Sequence, residues 1–272
     1  MILHALCYSQ QISFSAVSLS FPGLNSFDLS SSPWIYPIQL RTSPGHDFLP
    51  IWFCALMAAL RYRYQTIEFG EIDIHFRTLR DRQQFDDPQG VAEDLGISSA
   101  LWPMFGTVWP SGLVMANFML GYKYRDKRIL EVGCGIGLTS LLLNHLMADI
   151  TATDYHPAVK GFLNKNTKLN DDKNIPFVLA DWKETNSELG YFDLILASDL
   201  LYEREHAFLL SQFVGRHAKK KCDVVLVDPG RGGVGKFSRE MSILGFSHIK
   251  SRPEGVIYED IDFSGSIIEY HR

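Results

Sequence analysis

The sequence predicts an open α/β fold: a seven-stranded, mostly parallel sheet with helices on both faces, preceded by a short N-terminal β-hairpin. Three observations lead there. From residue 107 onward, apolar strand patterns alternate with helical ones, the order that produces right-handed crossovers and a parallel sheet. The first strand-to-helix junction, Glu131-Val-Gly-Cys-Gly-Ile-Gly137, carries three glycines, as a close backbone approach to a ligand requires. Two more alternating segments, 245–250 and 262–271, close the chain around a turn-rich stretch.

Residues 1–56 stand apart. Of the chain's 26 Lys+Arg and 31 Asp+Glu, this segment holds three: Asp28, Arg41 and Asp47. It lacks the basic start of a secretory signal, and its apolar patch, residues 49–60, is too short to span a bilayer. The character changes at Met57, so residues 1–56 are expected to be a disordered or non-native leader, with Met57 as the true start. A partner-binding tail is the competing reading. Residues 57–106 then form a hairpin and loop extension, and residues 107–272 the main domain.

Within the extension, residues 64–80 read as a hairpin: alternation over Gln65–Phe69, a turn at Gly70-Glu71, and alternation resuming at Ile72. Residues 81–100 are polar and loop-like, with Pro88 and Gly90. Residues 107–121 read as a short lead-in followed by an apolar helix. Strands are expected at 128–133, 149–153, 176–180, 192–198 and 222–227, and helices at about 137–147, 156–170, 204–219 and 234–244. With the terminal pair the sheet has seven strands.

The junction at 131–137 bounds the ligand. Asp154 ends the next strand, 21 positions after Gly133, about where a carboxylate reads ribose hydroxyls. The dinucleotide fingerprint needs a glycine where Leu138 stands, and no Lys or Arg follows closely to meet phosphate. This disfavours a nicotinamide reductase. Glu131, just before the glycines, suits a ligand bearing an amino group.

Ligands of open α/β sheets bind beyond the carboxyl ends of the strands. Those ends are Asp154, Ala180-Asp181-Trp182, Asp199-Leu-Leu-Tyr202 and Asp228-Pro-Gly-Arg231, and with the glycine loop they converge on one cleft. Each has a plainer reading: Asp154 and Asp199 as helix caps, Tyr202 as packing, Asp181 and residues 228–231 as turns. Asp193, at a strand start, reads as structural.

Composition narrows the function. A formal charge of −5 argues against a general nucleic-acid binder. The four cysteines (Cys7, Cys54, Cys134, Cys222) have no C-x-x-C spacing, and the nine histidines form no H-x-x-x-H pattern, so neither disulfides nor a metal site is expected and a reducing cytoplasm fits. No apolar run approaches the ~20 residues of a membrane span.

Residues 57–272 resemble the seven-β-strand, Rossmann-like class I methyltransferases, and within them the protein lysine methyltransferases. Glu131–Gly137 resembles the cofactor loop, Val108-Trp-Pro-Ser-Gly112 the Trp-Pro segment, and Asp199-Leu-Leu-Tyr202 the D-x-x-Y motif. Val227-Asp-Pro-Gly-Arg231 is also similar to the branch acting on the electron-transfer flavoprotein β-subunit. The resemblance implies S-adenosylmethionine as cofactor, a protein lysine as acceptor, and no metal. It implies that Gly133, Gly135 and Gly137 line the methionine and ribose, with Glu131 at the same loop. Asp154 would take the ribose hydroxyls, Asp181 and Trp182 would flank the adenine, Trp109 would pack on the cofactor or close the pocket, and Asp199 with Tyr202 would form the acceptor site. A small-molecule methyltransferase and a non-catalytic S-adenosylmethionine-binding partner protein are the alternatives; oligomeric state is unreadable.

Overall fold

The computed structural model describes residues 60–184, 189–253, 257–258 and 261–272; the expected leader at 1–56 lies outside them. The hairpin forms as read, β1 (Tyr62–Phe69) pairing antiparallel with β2 (Ile72–Leu79) through Gly70, whose φ is 67°. The polar stretch that follows is less loop-like than expected. Within 81–100 it contains a short helix, α1 (Val91–Asp94), and just beyond it comes a 3₁₀ turn (Trp102–Gly106) whose Trp102 and Phe105 are buried.

The main domain then runs α2 (Pro110–Gly121), β3 (Arg128–Val132), α3 (Leu138–His145), β4 (Asp149–Asp154), α4 (Val159–Leu169), β5 (Phe177–Leu179), β6 (Phe192–Ser198), α5 (His206–His217), β7 (Ala218–Asp228), α6 (Val234–Ile243), β8 (Ser247–Ser251), β9 (Ile257–Tyr258), β10 (Ile261–Asp262) and β11 (Ser266–His271). The seven-stranded sheet has the order β5-β4-β3-β6-β7-β11-β8. Its first five strands are parallel, and β11 inserts antiparallel between β7 and β8. β9 and β10 form a separate two-residue pairing, so the last expected strand starts at Ser266 rather than 262.

The sheet separates two cores. Ile129, Leu194, Leu196, Val225 and Val227 face one cluster; Leu130, Val132, Ile195, Ala197, Val224 and Leu226 face the other. Successive strand residues point to opposite faces, so a strand covered on both sides reads as an unbroken apolar run. α2 starts with Pro110 in its first turn, where the missing N–H costs nothing, and packs against both α3 and strands β6 and β7.

Two boundaries moved. The helix expected to end at 219 stops at His217, and Ala218 already pairs with Phe192, extending β7 backwards. Lys219–Lys221 suit a helix by propensity, but they fall in the register shift between the Phe192–Ala218 and Leu194–Asp223 pairs. At the far edge, β5 keeps only three residues.

The hairpin joins the domain through α4. Asn166 and Asn170, one helical turn apart, present their amides to β2: Asn170 Oδ1 accepts from the His75 N–H (2.8 Å) and its Nδ2 donates to the His75 carbonyl (2.7 Å). Asn166 makes the same pair with Arg77 at 2.9 and 3.3 Å, and also donates to the Ile136 carbonyl in the glycine loop (3.3 Å). Two side-chain amides thus act as the missing neighbouring strand, covering an edge that would otherwise be open to pairing.

Candidate active site

The strand order reverses between β3 and β6: β4 lies to one side of β3, and β6 to the other. Ligands of such sheets sit at this switch, and a cavity of about 540 Å³ opens there, within the ~300–1,000 Å³ range of ligand pockets. Nine of the ten expected site residues line it: Trp109, Glu131, Gly133, Gly135, Asp154, Asp181, Trp182, Asp199 and Tyr202. Gly137 does not. It precedes α3 with φ 77°, and a Cβ there would lie 2.4 Å from Leu163 Cδ1, in the core beneath the loop. Its part is to turn the chain, not to face the cavity.

Asp154 is fixed by the loop it faces. Oδ2 accepts the Gly135 N–H and Oδ1 the His156 N–H, both at 2.8 Å. Burial pushes its pKa up, and these amides pull it back. The carboxylate is thereby oriented, with lone pairs left for further donors. Glu131 lines the cavity and is also tied to the helix that follows the loop. Its buried Oε2 accepts from the backbone N–H of Ser140 (2.9 Å) and from the Ser140 hydroxyl, at the first turn of α3. An acid here complements the helix N-terminus.

Burial nevertheless raises the Glu131 pKa from 4.5 to about 7, against the Ser140 hydrogen bonds. Between those values the unfolded chain has released a proton that the folded chain keeps. The stabilising contribution is full below about pH 4.5 and lost as pH rises through about 7, some 3 kcal/mol in all. Glu131→Gln is expected to flatten that slope, as read by urea denaturation of both proteins at pH 5 and pH 8. Parallel pH profiles would mean that Glu131 does not titrate in this window.

Asp193 is structural, as read: Oδ2 accepts from the Arg128 N–H (3.0 Å) and from Lys219 Nζ (2.7 Å), ion pairing and hydrogen bonding that hold its pKa low despite burial. Trp109 donates from Nε1 to the Met104 carbonyl (3.1 Å), tying the start of α2 to the 3₁₀ turn. Asp181 closes a turn, Oδ1 accepting the Lys183 N–H (2.8 Å). Trp182 and Tyr202 both meet His206 edge-on, at 5.2 and 4.5 Å between ring centroids, making a row of rings along one wall.

Asp199 occupies the end of β6 with φ 55°, and its N–H reaches the Val227 carbonyl (2.9 Å). Its carboxylate is gripped from both oxygens by Arg231: Nε to Oδ1 at 2.8 Å and Nη2 to Oδ2 at 3.2 Å. Residues 228–231 do form the turn anticipated, Asp228 Oδ1 accepting the Gly230 and Arg231 N–H groups at 2.7 and 3.2 Å. Its outcome is to deliver Arg231 to Asp199, which the sequence reading did not anticipate.

The other unanticipated contributors come from the segment before α2. Leu95, Ile97 and Phe105 line the cavity, and the Tyr155 hydroxyl donates to the Leu95 carbonyl (2.5 Å). His156 stacks on Phe105 at 4.2 Å and 29°. Burial lowers its pKa to about 4, so the ring is neutral near pH 7. It accepts the Ala158 N–H at Nδ1 (3.2 Å), which leaves its proton on Nε2. The sequence signal was adjacency: Tyr155 and His156 directly follow Asp154.

A glycine loop at the switch point, an oriented carboxylate after the second parallel strand and an aromatic wall define a nucleoside-cofactor-binding domain of the open α/β class. The profile of the lysine methyltransferase family matches residues 93–232, just over half of the chain, and the chain belongs to that family. It is 30% identical to an electron transfer flavoprotein beta subunit lysine methyltransferase of Xenopus laevis, over 48% of this chain and 56% of that protein. It is 28% identical to a calmodulin-lysine N-methyltransferase of Arabidopsis thaliana, over 52% of this chain and 51% of that protein. The chain spans about half the length of the curated relatives it matches. Among solved structures, a T. thermophilus 16S rRNA methyltransferase in complex with AdoMet and guanosine shares the fold, with a TM-score of 0.53 at 16% identity, over 79% of this chain and 51% of that one.

Proposed function

We propose that this protein is an S-adenosylmethionine-dependent methyltransferase that modifies a lysine side chain of another protein. The observation carrying this reading is the placement of Asp199 and Tyr202 on the cavity bordered by the glycine loop and Asp154. The residues suit the cofactor. Acidic groups, not basic ones, surround the loop, as fits a ligand with cationic amino and sulfonium groups and no phosphate. Gly133 and Gly135 keep that wall free of side chains.

S-adenosylmethionine, when bound, supplies a methyl group on a good leaving group. The protein's task is then alignment and charge management. Asp199 attracts the lysine ammonium, and the Tyr202 ring, 55% exposed, holds it by cation–π contact. An ammonium beside a second positive charge loses its proton to water more readily, leaving the neutral nitrogen to accept the methyl. Leu95, Ile97, Leu101, Met104 and Phe105 line one side of the cavity with apolar surface. The family relatives act on proteins by their names, which supports a protein acceptor here. We further read the chain as cytoplasmic: Cys134 and Cys222 are free thiols, as suits a reducing compartment. The division into a leader at 1–56, an extension at 57–106 and a catalytic domain at 107–272 remains our reading of the whole chain.

The test is transfer itself. The full chain is incubated with S-adenosylmethionine labelled in its methyl group and a lysate of the source cell. Label in a discrete protein band, mapped to lysine by mass spectrometry, is the expected outcome. Label confined to small molecules would replace this reading with a metabolite enzyme, and tight cofactor binding without any transfer would favour a non-catalytic partner protein.

A further inference from the structure

We propose that Arg231 is a built-in stand-in for the substrate ammonium: its guanidinium occupies Asp199 in the substrate-free enzyme and is displaced when a lysine side chain enters. The inference rests on the functional reading above and adds a specificity-determining residue to it. Asp199's side chain is only 9% exposed, whereas Arg231's is 46% exposed. A carboxylate so enclosed is costly to leave unpaired, and the two-pronged contact satisfies both its oxygens. The partner reaches in from solvent, on the cavity side that both residues line.

Arg231 is also attached in a way that allows exchange. Its backbone N–H is anchored to Asp228, so the side chain can swing away without moving β7. Gly230 and Gly232 flank it with φ of 101° and 90°. Exchange replaces one cation by another at the same carboxylate, so no net charge is buried or exposed. The choice of arginine has a chemical reason. A guanidinium stays protonated at any working pH, and its hydrogen bond to Asp199 raises its pKa further. With its nitrogen lone pairs delocalised in the cation, it is a far poorer methyl acceptor than the neutral amine of a lysine in that position.

This yields a test that needs no identified substrate. Arg231→Lys, incubated as the full chain with methyl-labelled S-adenosylmethionine, is expected to methylate itself at position 231. The new amine gives up a proton to water and forms a carbon–nitrogen bond, while the methyl–sulfur bond breaks with its electron pair going to sulfur. Peptide mass spectrometry reads the added methyl. In parallel, n-butylammonium is titrated into wild type and Arg231→Gln without cofactor and followed by NMR shifts. Its apparent Kd is expected to fall about tenfold in the variant, because the competing cation is gone. If wild type labels lysines of a lysate while Arg231→Lys, binding cofactor equally well, gains no methyl at 231, the stand-in is refuted and the functional reading survives. Unchanged n-butylammonium affinity in Arg231→Gln would likewise refute it, leaving Arg231 a structural tether. If wild type transfers no methyl to any lysine, both readings fall together.

Discussion

Asp199→Asn is expected to lower kcat/KM for methyl transfer about a hundredfold while changing cofactor affinity less than twofold. The change removes charge and little else. Asp199 adopts φ 55°, a left-handed conformation that asparagine tolerates better than any other non-glycine residue, so the backbone at the end of β6 stays in place. Its N–H bond to the Val227 carbonyl is a main-chain contact and survives. Arg231, half exposed, keeps its hydration when its partner becomes neutral. What disappears is the attraction for an ammonium at an enclosed site. Truncating one partner of such a hydrogen-bonded charge pair costs about 2–5 kcal/mol, and 3 kcal/mol in that range is roughly a hundredfold in rate. Labelled transfer and a direct cofactor titration on the same preparation separate the two quantities. Equal loss of both would make Asp199 a structural residue of the β6–β7 corner and remove it from the acceptor site.

That corner also shows why some of the site was readable in the sequence and some was not. The strands of the parallel sheet announce themselves as apolar runs because both of their faces are buried, Ile195 on one side and Leu196 on the other. The glycine loop and Asp154 are legible because they communicate over a fixed crossover, the spacing of one βαβ unit. Arg231 follows a different rule. Asp228-Pro-Gly-Arg231 reads correctly as a turn, but the destination of its side chain depends on β6 and β7 lying side by side, with Ser198 opposite Val227. No local pattern encodes a contact between positions 199 and 231. Glu131 was legible only in part. Its proximity to the glycines places it on the cavity, but its bond through one oxygen to Ser140, in the first turn of the following helix, has no local signature. The segment 81–106 hid its role in composition: its polar residues outnumber the buried Trp102 and Phe105 that hold the 3₁₀ turn against His156. The docking of the hairpin was equally invisible, since Asn166 and Asn170 resemble any polar helix face until β2 lies beside them.

The glycine loop offers the second large effect. Gly135→Val is expected to lower the melting temperature by about 10 °C and to weaken cofactor binding at least tenfold. Gly135 has φ 55°, and a Cβ built on it would lie 3.0 Å from the carbonyl oxygen of Phe105. That oxygen belongs to backbone, in the 3₁₀ turn that walls the cavity, so it cannot rotate away as a side chain would. A β-branched residue in the left-handed region costs about 1–2 kcal/mol or more, and displacing a packed neighbour adds about 1–3 kcal/mol. The sum, roughly 3 kcal/mol, converts to about 10 °C for a domain of this size. Affinity suffers for a separate reason. The Gly135 N–H orients Asp154 Oδ2, so moving the loop misaligns the carboxylate expected to receive the ribose. Gly135→Ala keeps the φ penalty and the first clash but omits the branched methyls, and should show the same two losses in smaller measure. Scanning calorimetry and cofactor titration on all three proteins test the coupling. A valine variant with lowered melting temperature but full affinity would mean that the loop and Asp154 do not act together on the ligand; full stability in both variants would mean that the loop accommodates a side chain and that its tight turn is not what shapes the cavity wall.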